Sequence, residues 1–150
     1  MDVILVVVRL IKKDHDYVST ADLINDLKKH EKVDQSGAIF TFEGIVRGEE
    51  PGKEIDKLIL TTPDNEKTQK EMEEIAEDVK LKYGVNEISL IHYIGEFYTG
   101  DSLFLVAVLG SHRDESYDAL KEVIERVKFD IDFKKEEYSN EGTKTILAGG

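Results

Sequence analysis

Apolar positions along this chain alternate between two periods, and the changes of period divide it into strands and helices. Val3–Leu10 is apolar at nearly every position and predicts a buried strand. Ser19 or Thr20 then caps a helix that places Leu23, Ile24 and Leu27 on one face. Over Gly37–Val46 the period drops to two: Ala38, Phe40, Phe42 and Val46 share one side, Thr41 and Glu43 the other. Gly48, Pro51 and Gly52 predict a mobile loop over Arg47–Glu54, and Ile55–Thr61 reads as a further strand.

Pro63 suits the first turn of a second helix. Its buried stripe is Met72, Ile75, Ala76, Val79 and Tyr83, and Gly84 is a natural stop. Glu87–Ile94 and Ser102–Leu109 predict strands, joined by a connection that holds Gly95 and Gly100. A third helix is expected from about Asp114 to Lys128, burying Tyr117, Leu120, Ile124 and Val127. Short strands near Phe133–Tyr138 and Thr143–Leu147 complete the pattern. The order β-α-β-β-α-β-β-α-β-β is that of an α+β protein with a largely antiparallel sheet and about three helices. The chain has 150 residues and no repeat, low-complexity tract or linker-like stretch, so one domain over 1–150 is expected.

Charge narrows the function. There are 32 acidic against 20 basic residues, a net charge of −12, which argues against a nucleic-acid surface. An anionic ligand would have to be held by a local cluster acting against the overall field. With no cysteine, the chain carries no disulfide, thiolate metal site or persulfide chemistry, so any sulfur it handles must come from a partner. The longest apolar runs, Val3–Val8 and Leu103–Leu109, are too short to cross a membrane. The first has no basic leader or small-residue cleavage site and reads as a strand; a cytoplasmic protein without membrane contact is expected.

Against this acidic background, cations gather around the third helix. Ser111-His112-Arg113-Asp114-Glu115 lies where an apolar strand meets that helix, and free N–H groups there attract anions. Arg113 can grip a phosphate with two parallel hydrogen bonds. The plainer alternative is that Asp114 and Glu115 satisfy the helix start while Arg113 pairs with a surface acid. Lys128, Lys134 and Lys135 flank Phe129–Phe133 beyond the other end. If that stretch is extended, Phe129, Ile131, Phe133 and Lys135 share a face and Lys135 points to the apolar side. Burial and neighbouring cations would then lower its pKa and give a neutral amine for nucleophilic or base chemistry. The alternative is an edge strand decorated with lysine against aggregation.

Arg47 ends a strand beside the Gly/Pro loop, a place from which arginines contact ligands, although most such arginines are merely solvated. His92 reads as a core or interface residue, and His15 and His30 as surface. No His/carboxylate pair has metal-ligand spacing, and neither a P-loop nor a G-x-G-x-x-G is present. A helix of 15 residues spans roughly 22 Å at 1.5 Å per residue. His112-Arg113 and Lys128 therefore lie too far apart to share one small ligand within a subunit. Either there are two sites, or the two ends meet across a two-fold interface.

Taken together, these segments resemble the large, catalytic subunit of molybdopterin synthase, the MoaE family. The resemblance is carried by Gly37-Ala38-Ile39-Phe40-Thr41-Phe42-Glu43-Gly44-Ile45-Val46-Arg47, by Ile91-His92-Tyr93-Ile94-Gly95 and by Gly100-Asp101. It continues through Ser111-His112-Arg113, Lys128 and Phe133-Lys134-Lys135-Glu136, covering roughly 37–142. It implies an α/β-hammerhead fold and a homodimer. The implied partner is a small ubiquitin-like sulfur carrier (MoaD type) with a C-terminal Gly-Gly thiocarboxylate, and the implied substrate is cyclic pyranopterin monophosphate. Lys128 and Lys135 correspond to the family's catalytic lysines; Arg47, His112, Arg113 and Lys134 fall in the substrate-binding group. No cofactor or metal is implied. The chain departs from the family pattern over Leu60-Thr61-Thr62-Pro63, at Tyr93 where arginine is usual, near Asp132 and Lys134 where proline and tryptophan are usual, and after Gly142. These departures leave open a non-catalytic relative that binds carrier or pterin as a scaffold or regulator. The terminal Leu147-Ala148-Gly149-Gly150 raises a rival reading as a carrier, which the length and the 37–142 pattern oppose.

Overall fold

A computed structural model of the chain describes residues 8–146. The elements run in order as β1 (Val8–Lys12), α1 (Thr20–Leu27), β2 (Ala38–Ile45), β3 (Glu49–Glu50), β4 (Lys53–Thr61) and α2 (Asn65–Tyr83). There follow β5 (Glu87–Phe97), β6 (Ser102–Gly110), α3 (Arg113–Asp130), β7 (Lys134–Ser139) and β8 (Gly142–Ile146). A single 3-10 turn at Val33–Gln35 precedes β2. The strands form one eight-stranded sheet in the order β2-β6-β5-β4-β7-β8, with β1 joined to β5 and β3 to β4. Among the described residues only the β1–β5 pair is parallel. This is the α+β class, three helices and largely antiparallel sheet that the patterning predicts.

β5 organises the sheet because it changes partners along its length. Its first half pairs with β6 and, through Leu90–Ile94, with β1; from Gly95 onward it pairs with β4. Gly95 sits at the change with φ +131, a backbone region that side chains disfavour, and an added Cβ would meet Lys13 Cβ at 3.3 Å. β4, β7 and β8 continue the sheet from this second half of β5, and the short connection from Asp130 to Lys134 keeps β7 near the end of α3.

Each face of the sheet carries its own core. α2 and α3 pack on one face, where Met72, Val79, Leu90, Val106, Val108, Val123 and Ile131 are fully buried. The other face is covered by α1 through Leu23 and Leu27, over Ile91, Tyr93, Phe97 and Leu105. Each fully buried aliphatic side chain contributes on the order of 1.5–3 kcal/mol. Phe133 packs against both cores, so the α3–β7 connection is anchored where they meet.

Several boundaries differ from the expected ones for local reasons. Pro63 lies just before α2, not in its first turn, because Asp64 takes the cap and accepts a hydrogen bond from the Lys67 N–H at 3.2 Å. Gly84 ends that helix at φ +66, as its composition requires. The segment Arg47–Glu54 is not a plain loop: β3 folds back on β4, and Ile55 donates to the Gly48 carbonyl at 3.0 Å. Tyr117 is 56% exposed where burial was expected, since it leans on Phe40 at the sheet edge with ring centroids 5.9 Å apart. Tyr83 and Ile124 are half-buried. Val3–Val7 and Leu147–Gly150 lie outside the described residues, so the expected start of the first strand and the terminal Gly-Gly receive no structural account.

Candidate active site

α3 is longer than its pattern suggested and ends at Asp130. Phe129 is therefore helical and 54% exposed, and it does not share an extended face with Ile131, Phe133 and Lys135. Lys128 sits in the last turn, where its charge complements the helix C-terminus. Ile131 is fully buried and terminates the helix in an extended conformation; β7 starts three residues later. The short connection folds β7 back beside the helix end.

On β7 the two adjacent lysines separate. Lys135 pairs with Leu60 of β4 and Lys134 with Thr61, so they take opposite faces of the strand. Lys135 turns inward, toward the side of buried Leu60 and Leu58. Lys134 is half exposed and lies 3.7 Å from Glu136. Burial holds the Lys135 amine below the ordinary lysine range. Lys128 and Arg47 push the same way as neighbouring cations, while Glu137 and Glu50 oppose them. Among the described residues Lys135 has no hydrogen-bond or ion-pair partner, which leaves its amine free to react.

Arg47 reaches this group from the end of β2. Val46 is buried and donates its N–H to the Asp101 carbonyl at 2.9 Å, while Gly100 donates to the Val46 carbonyl at 2.8 Å. Gly48 is needed beside it, because a Cβ there would lie 2.5 Å from Thr99 Oγ1. The Arg47 guanidinium is largely exposed and stands 3.7 Å from Glu50. An open groove runs alongside, lined by Ile45, Arg47, Glu49, Thr99 and Gly100.

His112 and Arg113 stand apart. His112 caps α3, and the Glu115 carboxylate accepts from its N–H at 2.8 Å and reaches its ring nitrogen at 3.2 Å. The plainer reading of the helix start is thus realised by Glu115, and one anion-attracting N–H is already engaged. Arg113 is exposed and has no ion pair among the described residues. The 18 residues of α3 put these two side chains roughly 27 Å from the helix's far end. Within one chain, then, Arg47, Lys128 and Lys135 come together, Lys134 turns away, and His112-Arg113 lies at the opposite pole.

Around Lys135, His92 is the core residue its strand position predicts, while the pairing of Glu137 with Lys53 carries no signal in the sequence pattern. His92 is buried, sandwiched between Phe104 and Phe133, and its Nδ1 lies 2.8 Å from the Tyr93 carbonyl. Desolvation pulls its pKa down to about 4, so it is neutral at physiological pH. Glu137 is buried beside Lys135 and held by Lys53, which also approaches Glu50. The alternation of β7 signals that Glu137 and Lys135 share a face, but the reach of the Lys53 side chain from the start of β4 to Glu137 is a tertiary contact that no local pattern shows. His30 is likewise no free surface residue, because its Nε2 lies 3.1 Å from Glu87. The hollow lined by Lys13, Tyr17, Tyr93 and Asp101 shares no residue with the lysine group. Among the described residues no three metal-ligating side chains cluster, and no helix is long and apolar enough to cross a membrane.

The family model described as MoaE protein matches residues 5–130. The chain belongs to the MoaE family. The MoaE match includes Arg47, His92, His112, Arg113 and Lys128 and stops short of Lys134 and Lys135. Among MoaE relatives, the molybdopterin synthase catalytic subunit of Pyrococcus abyssi is 34% identical over 107 residues, 71% of this chain and 72% of that one. The Escherichia coli subunit of the same name is 30% identical over 115 residues, 77% of this chain and 76% of that one. The fold matches the crystal structure of molybdopterin synthase from Staphylococcus aureus with a TM-score of 0.78 at 23% identity, covering 93% of this chain and 96% of that one. It also matches a complex of subunits 1 and 2 of molybdopterin-converting factor from Helicobacter pylori, with a TM-score of 0.68 at 23% identity over 93% of this chain and 88% of that one.

Proposed function

We propose that this chain is the catalytic subunit of a molybdopterin synthase and moves sulfur from a thiocarboxylated small carrier to cyclic pyranopterin monophosphate. The observation that carries the reading is Lys135: an inward-facing amine without a partner among the described residues, its pKa lowered by burial and by Lys128 and Arg47, in a chain of this family. The whole chain acts as one unit in the cytoplasm. It forms a homodimer, each copy taking one small subunit as in a converting factor built of two subunits.

Each step asks something specific of the residues. Arg47 and Lys128 attract the carrier's terminal thiocarboxylate and the substrate phosphate into an otherwise acidic protein. Lys135, its amine held below the ordinary lysine range by burial and by neighbouring Lys128 and Arg47, accepts and returns protons as sulfur attacks the pterin side chain. Holding both reactants in one site supplies the proximity that a bimolecular reaction in water lacks. His112 and Arg113 complete the anion site from the second copy, which resolves their separation from Lys128 along α3.

The non-catalytic alternative rests on the departures from the family pattern. Two of them bear on other places: the Tyr93 hydroxyl bonds the Val18 backbone on both its N–H and its carbonyl, and Lys134 turns away from Lys135. Purified protein mixed with thiocarboxylated carrier and cyclic pyranopterin monophosphate is expected to yield molybdopterin. Tight carrier binding without product, beside a working control synthase, would favour the scaffold.

A further inference from the structure

Lys53 opens β4 and ties three elements together. Its Nζ contacts Glu137 Oε1 on β7 and lies 3.5 Å from Glu50 Oε2 on β3. Glu50 in turn stands 3.7 Å from the Arg47 guanidinium. A chain of alternating charge, Arg47–Glu50–Lys53–Glu137, therefore runs from the end of β2 to the strand that carries Lys135. Its inner part is sheltered, with the Lys53 side chain 13% and the Glu137 side chain 6% exposed.

Glu137 follows Lys135 by two residues and shares its face of β7, opposite Leu58 and Leu60. A sheltered carboxylate beside two amines needs one of them as its counter-ion. Pairing with Lys135 would hold that amine protonated and remove it from chemistry. Lys53 takes the place instead, and the bond to Glu137 holds the Lys53 amine charged, above the ordinary lysine range.

We propose that Lys53 is a positioning residue: by occupying Glu137 and Glu50 it withholds both carboxylates from Lys135, and it ties the Arg47 hairpin to β7. The catalytic consequence rests on the sulfur-transfer reading; the electrostatic arrangement does not. The groups that face Lys135 are Glu137 from its own strand, Glu50 from β3, Arg47 beyond β2, Lys128 from α3 and His92 from β5. His92 is uncharged above about pH 4, so the balance in the working range lies between two carboxylates and two cations. Removing the Lys53 charge frees Glu137 to turn to Lys135, and the Lys135 titration moves to higher pH.

The test is a titration of Lys135 in the intact protein. Lysines are reductively methylated with 13C-formaldehyde, and the Lys135 signal is assigned by its loss in Lys135→Arg. Lys53→Met is expected to shift that titration to the alkaline side, Lys53→Arg to leave it in place, and Lys53→Met combined with Glu137→Gln to bring it back. Should Lys53→Met not fold, Lys53→Gln keeps a hydrogen-bond donor without charge and must shift in the same direction. A Lys135 titration that is the same with and without the Lys53 charge overturns the proposal. Molybdopterin formation is measured in parallel, with a several-fold fall expected in Lys53→Met at neutral pH and recovery at higher pH. Wild-type protein without turnover, but with the titration shift present, would sink the sulfur-transfer reading and leave the Lys53 role standing.

Discussion

The ring of His92 stacks on the ring of Phe133, their centroids 4.1 Å apart and their planes 19° apart. The contact joins central strand β5 to the turn between α3 and β7, and so holds Lys128 and Lys135 in one neighbourhood. Phe133→Ala removes the stack and an anchor shared by both cores. A loss of about 2–3 kcal/mol is expected, below the usual range for a fully buried phenylalanine because Phe133 is only half-buried. Urea unfolding measures it, and activity is expected to fall further than stability because both lysines lose their support.

His92 also makes stability depend on pH. Its pKa is about 4 when folded against about 6.5 when exposed, so the unfolded chain binds the proton more readily. The stabilisation is complete above about pH 6.5 and is lost as pH falls toward 4, amounting to about 3 kcal/mol over that window. His92→Phe keeps an aromatic ring in the stack and is expected to flatten this slope. Urea midpoints at pH 7 and pH 4.5 for the two proteins give the comparison.

Lys128 is exposed, so Lys128→Ala should change stability by no more than about 0.5 kcal/mol. Turnover is expected to fall by at least about 100-fold, the scale of one positioned acid–base or charge-stabilising group. Lys135→Arg keeps a cation but cannot become neutral, and is expected to remove the rising limb of the pH–rate profile. Steady-state turnover of both variants and wild type across about pH 6–10 at constant ionic strength checks both expectations.

Separation along α3 gives a test of the shared pocket. Arg113→Ala and Lys128→Ala homodimers are each expected to be inactive. Mixed and re-equilibrated, half of the dimers are hybrids with one intact pocket of two, so about a quarter of wild-type turnover should return. Two sites within one subunit would give no recovery.

Gly110 sets the approach of β6 to α3. A Cβ there would fall 1.9 Å from Ser116 Oγ, and Ser116 donates to the His112 carbonyl at 2.5 Å. Gly110→Ala therefore has to turn the Ser116 hydroxyl off the His112 carbonyl or push the first turn of α3 outward, at a cost of about 1–3 kcal/mol. The melting temperature should fall, and the apparent KM for the phosphorylated substrate should rise with the displacement of His112 and Arg113.

Periodicity made most of this fold legible. The α2 stripe from Met72 to Val79, the Gly84 stop and the apolar runs of β5 and β6 are short-range signals that no distant contact overrides. Tyr117 breaks the helix pattern because it lies over Phe40 of edge strand β2, where it stays 56% exposed. α3 outruns its pattern because Phe129 and Asp130 look like the start of a strand, while buried Ile131 ends the helix. Around Lys135 the sequence shows the cations and hides their partners. Lys53 and Glu137 are 84 residues apart in the chain and meet only through a side-chain contact between β4 and β7. His92 looks like a core histidine from its strand, and its stack on Phe133 joins segments distant in the chain.

The central claim is that the group around Lys135 carries sulfur from a donor protein to a phosphorylated pterin. Following 35S from a labelled carrier thiocarboxylate during a single turnover tests it most directly. The label is predicted to appear on the pterin with wild-type protein and to remain on the carrier with Lys135→Ala. Label that stays on the carrier with wild-type protein, while a control synthase transfers it, contradicts the account.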